Sequence, residues 1–207
     1  MSSSIHEVNR LKHAPQVPGV LPLFHTRWSP RSFTDQDVSH QDLARVFEAA
    51  RWAASSFNEQ PWRFLLGTRG SEAYKKIYDS LVPFNQSWAG KAPVLILGAT
   101  RTKFSHNGAP NPVALYDLGA AASYLTLQAA ALGLATHQMA GFDGDAARKA
   151  FNVPEEYIFG AVIALGYQGE PDNLPGEQAI AQEKAPRSRK HLGEFVFSAW
   201  DQPAKLD

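Results

Sequence analysis

Between residues 39 and 54 the apolar positions Leu43, Val46, Phe47, Ala50 and Ala54 recur at helical spacing, behind a Ser39-x-x-Asp42 capping signal. Similar patterning predicts helices over 71–81 and over 145–151, the second closed by Pro154. The longest stripe, over 114–132, runs through Leu118, Ala121, Ala122, Leu125, Ala129 and Leu132, and Gly133 stands where a C-terminal cap belongs. Three unbroken apolar runs, 63–68, 93–99 and 159–167, predict buried strands.

The pattern weakens at both ends. Residues 1–20 are polar and unpatterned, which predicts a loose arm or a small packing extension ahead of a single domain over 21–207. After Gly169 the chain turns polar, with Pro171, Pro175 and Pro186, and 194–197 is a predicted final strand. There is no internal repeat or low-complexity segment, and this order of elements is α+β.

Composition narrows the chemistry. The 207 residues suffice for one well-buried core. Lys plus Arg and Asp plus Glu are 20 each, so no overall field draws nucleic acid or an anionic membrane, and a small-molecule substrate fits better. With no cysteine, thiol redox catalysis, disulfides and iron-sulfur ligation are excluded, and redox work would need a bound cofactor. The seven histidines lack metal-ligand spacing, so no metal site is expected. No Gly-x-Ser-x-Gly elbow, Gly-x-Gly-x-x-Gly run or P-loop is present. The first residues have neither a basic n-region nor an apolar h-region, and the expectation is cytoplasmic.

Two short runs carry candidate chemistry. Arg27-Trp28-Ser29-Pro30-Arg31-Ser32-Phe33 sets two guanidinium groups and a hydroxyl within five residues, a donor set suited to a dianionic phosphate, with Pro30 stiffening the backbone between them. Ser55-Ser56-Phe57-Asn58-Glu59-Gln60-Pro61-Trp62 offers hydroxyls and amides that suit the polar edge of a planar heterocycle. Either run alone is more often a solvated loop; their order, one predicted helix apart, carries the reading.

Both runs resemble those of the nitroreductase family of flavin mononucleotide (FMN) oxidoreductases, although Ala54 stands where many members have Pro. The likeness extends through Tyr116-Asp117-Leu118-Gly119 and Gln138-Met139-Ala140-Gly141-Phe142 to Arg187-Ser188-Arg189. The resemblance implies a three-layer sheet flanked by helices, a homodimer with the alanine-rich central helix at its interface, and FMN held between subunits with NADH or NADPH as donor. By that analogy Arg27, Trp28, Ser29, Arg31, Arg187 and Arg189 serve the phosphate end or the pyrimidine edge. Ser55, Ser56, Asn58 and Gln60 come from the same or the partner subunit, and Ala140 and Gly141 bring backbone amides near N5. Composition alone would leave Arg187 and Arg189 in a solvated charge run, and His137 reads as a structural histidine.

The activity so implied is hydride transfer through flavin N5 to small acceptors such as nitroaromatics or quinones. It needs no side chain as catalytic acid or base, and none is assigned. Another flavin chemistry on the same scaffold (dehalogenation, azoline oxidation, flavin degradation) and non-catalytic FMN storage are the alternatives. The polar loop 101–112 is an ordinary surface excursion or a substrate lid; in the second case Phe104 and His106 line the substrate pocket.

Overall fold

The computed structural model describes residues 4–206; the first three positions of the predicted arm lie outside the described residues. Four antiparallel strands form the main sheet: β1 (Trp62–Thr68), β2 (Val94–Arg101), β3 (Ala135–Met139) and β4 (Tyr157–Gly166), in the spatial order β1-β2-β4-β3. Eight α-helices are present among the described residues: α1 (Ile5–Lys12), α2 (Pro22–Thr26), α3 (His40–Arg51), α4 (Glu72–Ser80), α5 (Pro83–Ala89), α6 (Ala114–Ala131), α7 (Gly144–Phe151) and α8 (Glu177–Lys184). None of them is long and apolar enough to cross a membrane.

Burial on both sheet faces explains why the central strands read as unbroken apolar runs. Val94 and Ile96 of β2, with Ile163 and Leu165 of β4, pack with α3 and α6. The alternate residues Leu95, Leu97, Val162 and Ala164 pack on the other face with Ile77 of α4, Trp88 of α5 and Ala147 of α7. This gives three layers. Each large apolar side chain so enclosed contributes about 1.5–3 kcal/mol. Gly160 lets α6 lie close, because a Cβ there would come within 2.8 Å of Leu118 Cδ2.

The predicted caps do their work. Ser39 Oγ accepts the Asp42 N–H at 3.0 Å, and Gly133 takes φ +75° after the last turn of α6. Helix α7 stops at Asn152, in the left-handed conformation, before Pro154 is reached.

Other expectations are corrected. Residues 194–197 are not one strand: a 3-10 turn spans Leu192–Glu194, closed by His191 N–H donation to Glu194 Oε2 at 2.7 Å. Pairing begins only at β5 (Phe197–Ala199), which meets β6 (Gln202–Pro203) across a turn with Asp201 at φ +60°. Local side-chain capping outcompetes a short apolar run with no sheet to join. On α6, Ala121 and Ala122 face the core, whereas Leu115, Tyr116, Gly119 and Ser123 face outward.

Candidate functional site

The two sequence runs lie at opposite ends of α6. Arg27 and Trp28 follow α2 and line a cleft of about 170 Å³ with Ala130 and Gly133 at the C-terminal end of α6. The second run meets the N-terminal end, where buried Asp117 accepts the Ser56 N–H at 3.2 Å. Asp117 and Ala130 are about 20 Å apart at ~1.5 Å rise per residue.

At the first end, the tertiary fold gathers basic side chains that are distant in sequence. Arg187 donates from Nη1 to the Arg27 carbonyl at 2.6 Å and from Nη2 to the His25 carbonyl, so it staples the turn from behind. Arg27 Nη1 donates to Ser29 Oγ at 3.3 Å, and Arg189 donates to its neighbour's carbonyl, Ser188, at 2.7 Å. Among the described residues no carboxylate lies within ion-pair distance of Arg27, Arg187 or Arg189. Burial and then Arg189 pull Arg27 below its ordinary pKa; burial, Arg189 and Arg27 do the same to Arg187. Three cations brought together with no counter-ion give this end a positive potential.

Arg31 stands on the same turn but points elsewhere. Its guanidinium lies 5.8 Å from the Phe84 ring centre, and its buried Nε has no hydrogen-bond partner among the described residues. The Trp88 Nε1 is also buried and unpartnered. The Arg31 and Ser32 N–H groups are taken up by Glu183 Oε1, at 2.8 and 3.2 Å. His137 Nδ1 donates to the carbonyls of Ser29 at 3.0 Å and Pro30 at 3.1 Å, and its ring packs 4.7 Å from Trp88. Burial first, then the Arg31 charge, push His137 down to about 4. It is a neutral, structural histidine at pH 7.

Backbone geometry distinguishes the second end. Phe57, Asn58 and Gln60 have φ of +54°, +54° and +49°, three left-handed residues without a glycine, interrupted by the right-handed Glu59. Ser55 holds it: its carbonyl accepts the Asn58 N–H at 3.0 Å and its Oγ accepts the Gln60 N–H at 2.9 Å. Gln60 Nε2 donates to the Asn58 carbonyl at 3.0 Å. The loop 101–112 docks here, since Glu59 accepts the Ser105 N–H at 2.9 Å and its hydroxyl at 3.0 Å. Phe104 and His106 do reach this end, but Phe104 is only 8% exposed. It packs edge-on, 5.5 Å from Phe57, and Phe57 at 81% exposure is the ring that faces outward.

Ala140 and Gly141 follow β3. A Cβ at Gly141 would come within 2.6 Å of Asn85 Nδ2, which donates to the Gly141 carbonyl at 2.9 Å. Asn85, Asp117 and Glu183 thus brace the backbone of the candidate site, and no local pattern marks them. Asp117 lies within the Tyr116-Asp117-Leu118-Gly119 run; Glu183 sits in a polar stretch with no periodicity to mark it.

The sequence and the fold have known counterparts. The model of the Nitroreductase family matches residues 25–82 and 71–167, which include both runs, α6 and the whole main sheet. The chain belongs to the nitroreductase family. A relative of this nitroreductase-family chain in Archaeoglobus fulgidus, provisionally named an NADH dehydrogenase/NAD(P)H nitroreductase, is 27% identical over 151 residues, covering 71% of this chain and 84% of its own. A solved structure described as an oxidoreductase containing FMN superposes with a TM-score of 0.83 at 33% identity, over 90% of this chain and 94% of its own. The structure of a provisionally named nitroreductase from Desulfovibrio desulfuricans in complex with FMN shares the fold, with a TM-score of 0.71 at 24% identity over 89% of this chain and 98% of its own.

Proposed function

We propose that this chain is an FMN-dependent oxidoreductase that works as a homodimer, taking electrons from NADH or NADPH and delivering them to small acceptors such as nitroaromatics or quinones. Residues 21–207 form the cofactor-binding domain and residues 1–20 its extension. The residues present fit the cofactor. Arg27, Ser29 and Arg189 offer an unneutralised donor set for a single phosphate, braced by Arg187. The partnerless Arg31 Nε and Trp88 Nε1 are donors of the kind a ring carbonyl or ring nitrogen takes. When bound, FMN supplies two-electron chemistry by ping-pong exchange of hydride at N5, which accounts for the absence of a dinucleotide fingerprint.

The separation of the two runs along α6 carries the dimer reading. Ser55, Ser56, Asn58 and Gln60 of one subunit meet the Arg27 turn of the other when two copies of α6 lie side by side and antiparallel. Outward-facing Leu115, Tyr116 and Gly119 offer an apolar, low-relief face for that contact. Ala140 and Gly141 then line the ring, where the missing side chain of Gly141 keeps Asn85 in place. Arg31 brings positive charge to the pyrimidine edge and favours electron uptake there. Phe57 and His106, backed by Phe104, wall the acceptor pocket.

Purified protein should be yellow, release FMN and not FAD on denaturation, and bleach on anaerobic addition of NADH or NADPH. A colourless chain that cannot be reconstituted would refute the cofactor; a loaded chain that neither nicotinamide bleaches would instead support FMN storage.

A further inference from the structure

Helix α1 lies outside the stretch matched by the family model, yet its side chains reach the turn that carries the basic donors. Asn9 Oδ1 accepts the indole N–H of Trp28 at 2.8 Å. Lys12 Nζ stands 4.8 Å above the same ring and donates to the Gln182 carbonyl of α8 at 3.2 Å. Lys12 is only 7% exposed, and Val8, one turn earlier, is fully buried, so the helix is anchored. From the other side, Glu183 of α8 accepts the N–H groups of Arg31 and Ser32, and at 2% exposure it is shielded from water. Burial lowers the Lys12 pKa and raises that of Glu183, while the charge of each opposes the other's shift.

We infer that α1 is a positioning element for the anion-binding turn: Asn9 and Lys12 hold the Trp28 indole, and thereby the backbone that carries Arg27 on one side and Ser29 on the other. Neither residue touches the cofactor in this scheme. Both act by reducing the conformations that the turn must give up on binding, which raises affinity without adding a contact. The inference rests on the FMN reading above. Because coupling between two sites is reciprocal, FMN must in turn steady α1.

The test uses full-length protein stripped of FMN, titrated with FMN by fluorescence quenching, together with hydrogen exchange of the α1 amides with and without FMN. The Asn9→Leu/Lys12→Met double variant keeps side-chain bulk while removing the acceptor and the cation. It should bind FMN about tenfold more weakly, a typical coupling of this kind. Lys12→Arg, which keeps a cation over the indole, should stay within about twofold of wild type. FMN should slow exchange in α1 of wild type. If wild type binds FMN but the double variant binds it equally well, or if exchange in α1 ignores FMN, the positioning role is overturned and the cofactor reading stands. A wild type that binds no FMN overturns the cofactor reading and the positioning role with it.

Discussion

The two ends of α6 contribute to the proposed site by opposite means. At the C-terminal end the backbone is unexceptional and the cost is electrostatic: Arg27, Arg187 and Arg189 are held together with no carboxylate among the described residues to neutralise them. At the N-terminal end the carboxylates Glu59 and Asp117 are taken up by local N–H and O–H donors and the cost is conformational, with Phe57, Asn58 and Gln60 all in the left-handed region. A bound anion would offset the first cost. The second is offset within the fold, by Ser55, Asp117 and the docked 101–112 loop. The first end should therefore respond strongly to ligand and the second to local substitution.

The sharpest break in that contrast is at the charged end. Arg27→Met or Arg189→Met, which keep the apolar stem, should each weaken FMN binding by about 1.5–3 kcal/mol, the scale of a charge-assisted hydrogen bond. FMN-free protein should melt no lower than wild type, since one of three like charges has been removed. Equal FMN affinity in both variants, measured by titration, would return these residues to the solvated surface.

His137 tests whether the turn is braced from within. Its pKa is depressed to about 4, so the unfolded chain binds the extra proton between about pH 6.5 and 4 while the folded chain does not. Stability should thus be full above pH 6.5 and decline as pH falls to 4, by up to about 1.4 kcal/mol per pH unit. Denaturant melts of wild type and His137→Asn across that window should diverge, with the variant flatter.

At the strained end, Phe57→Gly and Phe57→Ala remove the same ring contacts but differ in the cost of a φ of +54°. The glycine variant should be the more stable by roughly 1 kcal/mol in denaturant melts. Equal stability would mean the loop relaxes and stores no strain.

The smallest effect concerns acceptor choice. His106→Ala and Phe104→Ala should change kcat/KM unequally across nitroaromatic and quinone acceptors with FMN content intact. Uniform kinetics across the panel would remove the 101–112 loop from the pocket wall.

Legibility followed range in the chain. Helices α3, α4 and α6 and strands β1, β2 and β4 were readable because their signals are local: apolar period, a Ser cap, a terminal Gly. Helix α8 and strand β3 were not, since α8 has little apolar stripe and β3 mixes Thr, His and Gln along an edge strand. The predicted last strand failed because a His191–Glu194 cap commits those residues to a turn.

What the sequence determined by itself is the chemical vocabulary: no thiols, balanced charge, two donor-rich runs and a later basic pair, each legible because side-chain identity needs no fold to be read. Only the tertiary structure decided how those groups are deployed. It set Arg187 as a staple on the Arg27 and His25 carbonyls, faced Phe57 outward while burying Phe104, and brought Asn9, Lys12 and Glu183 to the turn over residues 27–32. Those roles depend on contacts between residues up to 170 positions apart, as Lys12 and Gln182 are, and no local pattern encodes such a contact.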